Sequence, residues 1–467
     1  MTAYDEVPYT GRPYPDAHPG RLATMAALHG VKAAPIGRAR VLEVACGDGA
    51  NLLPMAAVLP ESRFVGFDLA AQPVEAGRRL AERAGLRNVT LSTLDLAAFP
   101  ADAGAFDYII AHGLYSWIPA AVRDELLALI GRHLAPNGVA FVSYNVYPGC
   151  YVRRMVWEML KFHTEPLTGT AQRIAEAKAL AQLLAEGRTS EDAYAFLLRG
   201  ELERFSMRDS GALYHDDLAP VNDPCWFHEF VAHADAHGLQ FLCEAELVAT
   251  SYFGLGEATR RVLDSLDPLV REQYLDFAKC RRFRQTLLCR AGVEVDRSPG
   301  ASRIEEFKLA MRAPGLVGEP DAARPMAPEE GVARAILDAI EAASPNALSL
   351  DAIAAQVPGV ERARLRELCF AAAQSGAAQL HLHSADVART LGERPLATPL
   401  ARAQAQEGAF VATLRHAAVN LDDPLARRLL VLLDGTRDAA ELASALGEPR
   451  GEVDARLAHL ARLGLVA

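Results

Sequence analysis

One short segment, VLEVACGDGANLL at residues 41–53, constrains the fold of this chain more than any other. An apolar run typical of a buried strand leads into a turn that contains Gly47 and Gly49, and helical periodicity follows. Glycines in such a turn let the backbone approach a ligand closely, and the start of the next helix presents free N–H groups and a partial positive charge. The segment therefore predicts a strand, a turn and a helix that together bind a nucleotide-like ligand.

The glycine turn belongs to a longer pattern, from Ala39 to Tyr147, in which short apolar runs alternate with helical periodicity. This alternation is typical of strand and helix units in a parallel sheet. Strands are predicted at residues 40–45, 63–68, 89–95, 106–113 and 138–145, and helices at 51–59, 73–84 and 121–133. The pattern indicates an α/β fold with a doubly wound, mostly parallel sheet, whose ligand binds outside the carboxyl ends of the strands.

Acidic residues end the second and third of these strands. Asp68 lies about 20 residues past the glycine turn, where a carboxylate can accept hydrogen bonds from both ribose hydroxyls of a nucleotide. Asp95 ends the third strand at the same edge of the sheet. A helix cap is the structural alternative for Asp68, and a solvated loop acid is the alternative for Asp95.

The glycine turn itself distinguishes between two kinds of nucleotide site. A dinucleotide site would have a third glycine at the position of Leu52. The form Glu43-x-x-Cys46-Gly-x-Gly49 instead resembles the first motif of class I S-adenosylmethionine (SAM) methyltransferases. That resemblance implies that Glu43 fixes either the methionine ammonium or the glycine turn, with a purely structural role still open, and that Cys46 is a small apolar residue of the turn rather than a nucleophile.

Further segments extend the resemblance over nearly the whole chain. They are YDEVPYTGRPYPDAHPGRLATMAALHG near the start, the pair HGLYSWIP and SYNVYPG, the central YHDDLAPVNDPCWFHEFVAHADAHGLQFLCEAEL and QYLDFAKCRRFRQTLLCR, and the C-terminal RPLATPLARAQ and LVLLDGTRDAAELA. Together they resemble bacterial methyltransferases that carry a methyltransferase regulatory domain, among them protein lysine methyltransferases that modify outer-membrane proteins. The resemblance implies a Rossmann-like class I methyltransferase domain with SAM as its cofactor.

The resemblance also implies roles for individual residues. Tyr9, Tyr14 and His18 would belong to a segment that folds over the cofactor. The rest of the implied cofactor site consists of Glu43, Cys46, Gly47, Gly49, Asp68, Leu69, Asp95, Leu96 and His112. In that site the two leucines would flank the adenine, and the acid that ends the third strand would lie beside the adenine amino group.

Aromatic residues follow the fourth and fifth strands at the same edge. The residues expected to face the methyl acceptor are Tyr115, Trp117, Tyr144 and Asn145. Their rings suit an amine through cation–π contact, although ordinary packing stays open for Trp117. Methyl transfer from a sulfonium needs in-line geometry and a lone pair on the acceptor, so positioning and desolvation should supply most of the catalysis. No residue stands out as a general base.

The length of 467 residues predicts about three domains. The SAM-binding methyltransferase domain is expected at 1–150, and a helical regulatory or substrate domain at 151–311, where strand signals fade. Residues 312–329 combine Pro, Gly and Ala without apolar periodicity, which is typical of a linker. A winged-helix-like domain is expected at 330–467, with helices at 331–342, 349–357 and 362–375, a short strand at 378–383 and a second such block at 422–466.

Other patterns predict neither a metal site nor a polyanionic partner. His228 and His233 lie on different faces of a helix, whereas His233 and His237 share a face but lack a third ligand in the sequence. The basic run KCRRFR at 279–284 is expected to be a solvated face or a set of interdomain salt bridges rather than a contact for an acidic substrate or nucleic acid. Lys and Arg total 48 against 59 Asp and Glu, and the formal net charge of -11 disfavours nucleic acid and anionic membranes as partners.

The leading hypothesis is SAM-dependent methyl transfer to a protein side-chain amine, namely lysine, because two accessory domains favour a large acceptor over a metabolite. Two alternatives are kept: a SAM-dependent N- or O-methyltransferase of a small molecule or peptide natural product, and a non-catalytic SAM-binding regulatory protein. Neither a targeting signal nor a membrane-spanning stretch is recognised, and the 7 cysteines show no C-x-x-C pair, so a cytoplasmic location is expected. The acceptor atom, the number of methyl groups and the oligomeric state stay open.

Overall fold

The computed structural model of the chain describes residues 6–7, 9–187, 189–311, 331–383 and 391–466. A seven-stranded sheet forms its centre. The strands are β1 (Arg40–Val44), β2 (Arg63–Asp68), β3 (Val89–Thr93), β4 (Phe106–Ala111), β5 (Leu134–Asn145), β6 (Leu239–Glu244) and β7 (Phe283–Arg290). They lie in the order β3-β2-β1-β4-β5-β7-β6, with β1 to β5 parallel to one another and β7 antiparallel to both of its neighbours. The predicted doubly wound, mostly parallel sheet is confirmed.

The strand order places a crevice at the carboxyl ends of β1 and β4. Connections from β1 proceed to β2 on one side of the sheet, whereas β4 lies against β1 on the other side. Such a reversal of strand order opens a ligand crevice in doubly wound folds. The helices that flank these strands are Leu52–Val58, Ala71–Arg83 and Ala120–His133, close to the predicted bounds. The central strands are apolar and buried on both faces, as strands covered by helices on both sides must be.

The central part of the chain contributes two strands to the same sheet. The edge of β5 pairs with β7, so that Ala140 lies opposite Leu288, and β6 then pairs with β7. Residues 239–290 therefore complete the sheet that the first 145 residues begin. The proposed division at 150 and 311 stays a prediction, and the predicted linker at 312–329 lies outside the described residues.

The middle of the chain is mainly helical. Three helices pack around a small apolar core of their own: Cys150–Thr164, Thr170–Glu186 and Ala193–Ser206. A π-helical turn, Leu213–Asp217, then returns the chain toward the sheet. The remaining long helices of this part are Phe227–Ala236, Glu257–Asp264 and Pro268–Lys279.

The C-terminal part has the winged-helix-like architecture that the sequence predicts. Its first block combines a sheet of order β10-β8-β9, made of β8 (Lys308–Met311), β9 (Leu348–Ser349) and β10 (Ala378–His381), with the helices Val332–Ala343, Leu350–Gln356 and Arg362–Gln374. Its second block combines a hairpin, β11 (Phe410–Ala412) and β12 (Ala418–Asn420), with the helices Pro399–Glu407, Pro424–Leu432, Ala439–Leu446 and Arg450–Arg462.

The second block packs directly on the first part of the chain. Helix Pro399–Glu407 contacts helices Leu52–Val58 and Ala71–Arg83, and Arg83 forms an ion pair with Glu407. These contacts bring the C-terminal hairpin next to the glycine turn. In the part of the chain that the structure describes, no helix has both the length and the apolar character that a membrane crossing requires.

The basic run at 279–284 enters the interior rather than forming a solvated face. Arg284, in β7, is fully buried and forms ion pairs with Glu244 at 2.6 Å, Asp276 at 2.8 Å and Glu272 at 3.2 Å. Its guanidinium also lies 4.0 Å from the centre of the Phe227 ring. Of the two interpretations of this run, the salt-bridge set is the one that the structure favours.

Candidate functional site

The turn after β1 has backbone angles that ordinary side chains rarely adopt. Ala45, Gly47 and Gly49 have positive φ values of 58°, 54° and 72°. A Cβ built on Gly47 would meet no atom within 4 Å, whereas a Cβ on Gly49 would lie 3.0 Å from a methyl group of Leu91. Gly47 therefore keeps the ligand side of the turn open, and Gly49 lets the turn pack against the sheet.

Close contacts hold this turn in place. A Cβ on Gly77, in helix Ala71–Arg83, would lie 2.2 Å from the Asp48 carbonyl oxygen, and a Cβ on Gly11 would lie 2.3 Å from Asp48 Oδ1. Cys46 packs against Gly66 of β2, where a Cβ would lie 2.9 Å from its sulfur, and burial raises the pKa of the thiol. Cys46 thus fills a narrow space as a small apolar residue, and its thiol is not activated as a nucleophile.

Asp68 links the end of β2 to the glycine turn. Its Oδ2 accepts a hydrogen bond from the Gly47 N–H at 2.9 Å, and its Oδ1 accepts one from the Ala70 N–H at 2.8 Å, just before helix Ala71–Arg83. Helix Ala71–Arg83 has no side-chain cap, so Asp68 binds the backbone just before the helix rather than capping it. A carboxylate can accept about four hydrogen bonds, so these contacts are compatible with ribose binding.

The predicted adenine side of the cleft is open. Asp95 is exposed, and its Oδ1 accepts a hydrogen bond from the Ala97 N–H at 3.0 Å at the start of a short 3₁₀ turn. Leu69 is 58% exposed and Leu96 is half-buried, and both line the cleft. Apolar side chains that face a cleft in this way are available to cover a flat aromatic ligand.

Glu43 lies at the base of the cleft with a buried carboxyl group. Asn51 Nδ2 donates to its Oε1 at 2.7 Å, while Oε2 is buried and has no hydrogen-bond partner among the described residues. Burial raises the pKa of Glu43 to about 8. A buried carboxyl group with an unsatisfied oxygen suits a cationic ligand group, such as the methionine ammonium of SAM. On this test the cleft fits the cofactor that the sequence implies.

Asn51 joins three separate parts of the chain. Besides its bond to Glu43, its Oδ1 accepts from the Tyr14 N–H at 2.8 Å and lies 2.8 Å from Nε2 of His416. Because an amide oxygen only accepts hydrogen bonds, the His416 proton lies on Nε2. His416 is 5% exposed, has a positive φ of 55° and lies in the loop between β11 and β12. The loop of the C-terminal hairpin therefore contacts Asn51, the residue that holds Glu43 at the base of the cofactor cleft.

The N-terminal segment covers the opposite side of the cleft. The Tyr14 ring lies 3.8 Å from the His112 ring, and the guanidinium of Arg12 lies 5.8 Å from the centre of the Tyr14 ring. His112 Nδ1 is 3.1 Å from Ser143 Oγ, and burial lowers the pKa of His112 to about 3. His112 is therefore neutral at pH 7 and too weak a base to deprotonate an acceptor. Tyr9 lies further along the segment, 6.0 Å from the His215 ring.

One cavity of about 1710 Å³ extends from the glycine turn into the middle helices. Among the residues that form its far wall are Arg153, Asp216 and Phe253. The sequence-predicted site residues that line it are Tyr9, Tyr14, Glu43, Cys46, Gly47, Asp68, Leu69, Asp95, Leu96, His112, Trp117 and Asn145. The structure thus brings most of the predicted cofactor site together with two of the four residues that we expect at the acceptor.

Tyr115 and Tyr144 do not line this cavity, so the structure does not bring them together with Trp117 and Asn145, and their predicted role at the acceptor stays a prediction. The Tyr144 ring stacks on Phe230 at 3.9 Å, and its hydroxyl lies 3.0 Å from Thr286 Oγ1. Tyr115 is buried beside it, 5.1 Å from the same phenylalanine. Successive side chains of a strand point to opposite faces, so Tyr144 enters the core under helix Phe227–Ala236, away from the cleft.

His18 does not line the cavity either. Its Nδ1 accepts a hydrogen bond from the Gly20 N–H at 3.0 Å, so this residue caps helix Pro19–Leu28. Its ring lies 4.9 Å from the His416 ring, and burial lowers the pKa of His18 to about 4. The contacts of His18 thus lie behind the cleft, and its predicted cofactor contact stays a prediction. Gly49 likewise does not line the cavity.

The acceptor side of the cavity contains Trp117 and Asn145. Trp117 Nε1 is buried without a hydrogen-bond partner among the described residues. Asn145 Nδ2 donates to Asn222 Oδ1 at 2.9 Å, and Asn222 Nδ2 donates to the carbonyl oxygen of Asp216 at 3.1 Å. Burial raises the pKa of Asp216 to about 6, although Arg208 acts in the opposite direction. Through Asn222, the end of β5 is thus tied to the backbone of the π-helical turn Leu213–Asp217.

Four of these residues are missing from the sequence-based site: Arg12, Asn51, Asp216 and His416. Arg12 lies between the two predicted tyrosines of the N-terminal segment, and Asn51 begins the helix after the glycine turn, so their positions gave a usable signal. Asp216 and His416 have no such local signal, because only the tertiary fold brings them to the cleft.

Three family models match the chain. They are a methyltransferase domain at residues 41–138, a predicted methyltransferase regulatory domain at residues 209–290, and the PKMT C-terminal winged helix domain at residues 393–455. Each model falls on a different part of the described fold: the glycine-turn sheet, the segment that supplies β6 and β7, and the hairpin block.

Relatives and solved structures agree with these matches. The uncharacterized protein RP789 of Rickettsia prowazekii is 34% identical over 66% of this chain and 56% of its own length. The uncharacterized protein RP028 of the same organism is 33% identical over 51% of this chain and 96% of its own length. The structure of PKMT2 from Rickettsia typhi in complex with AdoHcy covers 98% of this chain and 100% of that chain, with 24% identity and a TM-score of 0.84. This last match shows that the two chains share their fold over the matched 98% of this chain.

The chain spans only about half the length of the first of these relatives, whereas it spans nearly all of the second. The three family models match consecutive parts of one chain. In addition, the glycine turn and the cleft of this chain fit SAM. This protein therefore belongs to the class I SAM-dependent methyltransferases that carry a methyltransferase regulatory domain and a PKMT winged helix domain.

Proposed function

We propose that this protein transfers a methyl group from SAM to the side-chain amine of a lysine in a protein or peptide substrate. The observation that carries the proposal is the cavity of about 1710 Å³, which runs from the glycine turn to the middle helices. Pockets for small ligands usually have volumes of about 300–1,000 Å³. The larger volume, and the walls that the accessory helices contribute, suit a cofactor together with a polypeptide segment.

Residues around the glycine turn would hold the cofactor, which supplies an electrophilic methyl group on its sulfonium when bound. Glu43 would accept a hydrogen bond from the methionine ammonium, and Arg12 would pair with the methionine carboxylate. Asp68 would accept hydrogen bonds from the ribose hydroxyls. Leu69 and Leu96 would cover the adenine. The unsatisfied oxygen of Glu43 and the exposure of Leu69 support this arrangement.

The acceptor lysine has to reach the methyl group as a neutral amine. Its reference pKa is about 10.4, so deprotonation in water at pH 7 costs about 4–5 kcal/mol, and burial lowers that cost. Trp117, Tyr9 and Tyr14 contribute aromatic rings to the cavity wall, and such rings would exclude water around the amine. Asp216 would attract the ammonium form to the cavity, and the proton would leave to solvent. The chemistry then depends on positioning and desolvation rather than on a strong base.

The named relatives support the same function. PKMT2 of Rickettsia typhi was solved with AdoHcy, which is the form that SAM takes after it has lost its methyl group. A PKMT winged helix model also matches the C-terminal part of this chain. These likenesses support a protein acceptor, and the cavity supports it independently.

A labelling experiment tests the proposal. The purified chain is incubated with SAM that carries a tritiated methyl group, either with a bacterial protein extract or with a panel of small amines. Label in protein bands that hydrolyse to methylated lysine is the expected result. Label confined to low-mass products would favour the small-molecule alternative, whereas cofactor binding without any transfer would favour a regulatory protein.

The control variants separate chemistry from folding. Glu43→Gln removes the ionisable carboxyl group from the cleft, and transfer should fall at least about tenfold because the bound ammonium loses the partner that would ionise beside it. Glu61→Gln is its matched control, since Glu61 is exposed and pairs with the surface residue Arg38. Equal transfer by both variants would contradict the assignment of Glu43.

A further inference from the structure

Three metal-binding side chains converge at a point outside the cavity. His233 and His237 lie one helical turn apart at the end of helix Phe227–Ala236, and Asp124 reaches them from helix Ala120–His133. One ligand atom from each residue lies within 4.8 Å of the other two. The sequence contains the histidine pair but gives no sign of the third ligand, which only the packing of the two helices provides.

The distances between these atoms fit a single bound ion. Asp124 Oδ1 is 2.8 Å from His237 Nε2 and 3.3 Å from His233 Nε2. A tetrahedral zinc ion with bonds of about 2.0–2.1 Å separates its ligand atoms by about 3.3 Å. The three side chains therefore need only small adjustments to bind an ion, and two imidazoles with one carboxylate form a common zinc ligand set.

The second nitrogen of His233 is already fixed by a buried residue. Its Nδ1 lies 2.8 Å from the hydroxyl of Tyr115, which is 4% exposed and packs on Phe230. Ligating histidines characteristically hold their other ring nitrogen in such a hydrogen bond, which orients the ring and selects the tautomer. Without an ion, Nε2–H of His233 donates to Asp124 and Nδ1 accepts from the Tyr115 hydroxyl. With an ion bound, Nδ1–H would donate to that hydroxyl, and the lone pair of Nε2 would be available to the ion. The hydrogen bond between His233 Nδ1 and Tyr115 is therefore a second observation in favour of a metal site, separate from the distances between the three ligand atoms.

The site is accessible to an ion from solvent. The Asp124 side chain is 65% exposed, and the His233 and His237 side chains are 26% and 16% exposed. An exposed carboxylate over two partly buried imidazoles leaves the fourth ligand position open to water.

We propose that Asp124, His233 and His237 bind a divalent transition-metal ion of the zinc type. The ion joins helix Ala120–His133, which flanks the methyltransferase sheet, to helix Phe227–Ala236, which belongs to the regulatory segment. Through His233 and Tyr115 it also stiffens the short turn Tyr115–Trp117 that precedes the acceptor side of the cavity. Its role is structural, because none of the three ligands lines the cavity.

Zinc titration of the full chain tests the proposal. Protein stripped of metal with a chelator is titrated with zinc chloride against a coloured zinc indicator. The wild type should bind one ion with high affinity. Asp124→Asn and His237→Ala should each weaken binding by at least about tenfold, and Tyr115→Phe, which keeps all three ligands, should weaken it by about tenfold. Zinc should also raise the melting temperature of the wild type but not that of Asp124→Asn.

Two control variants account for other zinc-binding groups. His163→Ala removes an exposed histidine that pairs with Glu176, and Cys280→Ser removes an exposed thiol. Both should bind zinc as the wild type does. The proposal is overturned if the wild type fails to bind zinc, or if Asp124→Asn and His237→Ala bind it as tightly as the controls. Melting curves recorded with chelator show whether each variant is folded.

Discussion

His416 carries the contact between the C-terminal hairpin and the cofactor cleft, and its removal should weaken cofactor binding. Its Nε2–H donates to Asn51 Oδ1 at 2.8 Å, and Asn51 Nδ2 donates to Glu43 Oε1 at 2.7 Å. The Asn51 amide is fixed by these two bonds and by the Tyr14 N–H. In His416→Ala the amide loses one of its three bonds, so the carboxyl group that it supports is held less firmly.

The size of the effect follows from the one hydrogen bond that is lost. A buried neutral hydrogen bond contributes about 1 kcal/mol, and 1.4 kcal/mol corresponds to a tenfold change in affinity. If the whole loss reaches the cofactor site, affinity falls about fivefold. The docking of the hairpin should lose more, roughly 2–4 kcal/mol, because the variant also leaves a void where the buried imidazole packed.

Calorimetric titration of the full chain with S-adenosylhomocysteine measures the effect. His459→Ala is the matched control, since His459 is an exposed histidine of the same C-terminal block. A double-mutant cycle with Asn51→Ala should give a coupling energy of about 1 kcal/mol between His416 and Asn51. Folded His416→Ala with unchanged affinity, or energies that simply add in the cycle, would refute the reasoning.

Three further predictions concern charged groups. Burial raises the pKa of Glu43 to about 8, and a bound ammonium would lower it. Cofactor affinity should therefore rise between about pH 6 and pH 8, by up to tenfold per pH unit. Calorimetric titration of Glu43→Gln should show a smaller dependence of affinity on pH. Arg12→Ala should weaken cofactor binding about tenfold, whereas the exposed control Arg38→Ala should leave the measured affinity unchanged. Arg284→Met leaves three buried carboxylates without their common partner. Denaturant unfolding should show a free energy of unfolding that is lower by about 3–5 kcal/mol. The exposed control Arg364→Met should lower it by less than about 1 kcal/mol.

The sheet and the glycine turn could be predicted because their signals are local. Apolar runs, helical periodicity and the positions of Gly47 and Gly49 specify the strands and the turn without reference to distant residues. The pairing of β7 with β5 could not be predicted with the same certainty, because it joins residues about 140 positions apart. The sequence around β7 suggests a strand, but only the buried edge of β5 determines its partner.

The cofactor side of the site could be predicted from local sequence signals, whereas the acceptor side could not. Asp68 and Asp95 follow strands in register, so the topology of the sheet places both at the cleft. Tyr144 and Asn145 are adjacent in sequence but point to opposite faces of β5, and the apolar contacts of Phe230 decide which face belongs to the core. Aromatic residues near a strand end are therefore weaker evidence for an acceptor site than acids are for a cofactor site.

The position of His416 also has a thermodynamic consequence. If docking of the hairpin strengthens cofactor binding by some factor, then the cofactor must strengthen docking of the hairpin by the same factor. The fivefold effect expected for His416→Ala thus predicts that a saturating cofactor slows hydrogen exchange in the loop between β11 and β12 about fivefold, and that this protection disappears in His416→Ala. A loop that exchanges at the same rate with and without cofactor would mean that the hairpin packs on the methyltransferase sheet without sensing what the cleft contains. The C-terminal block would then serve the substrate alone.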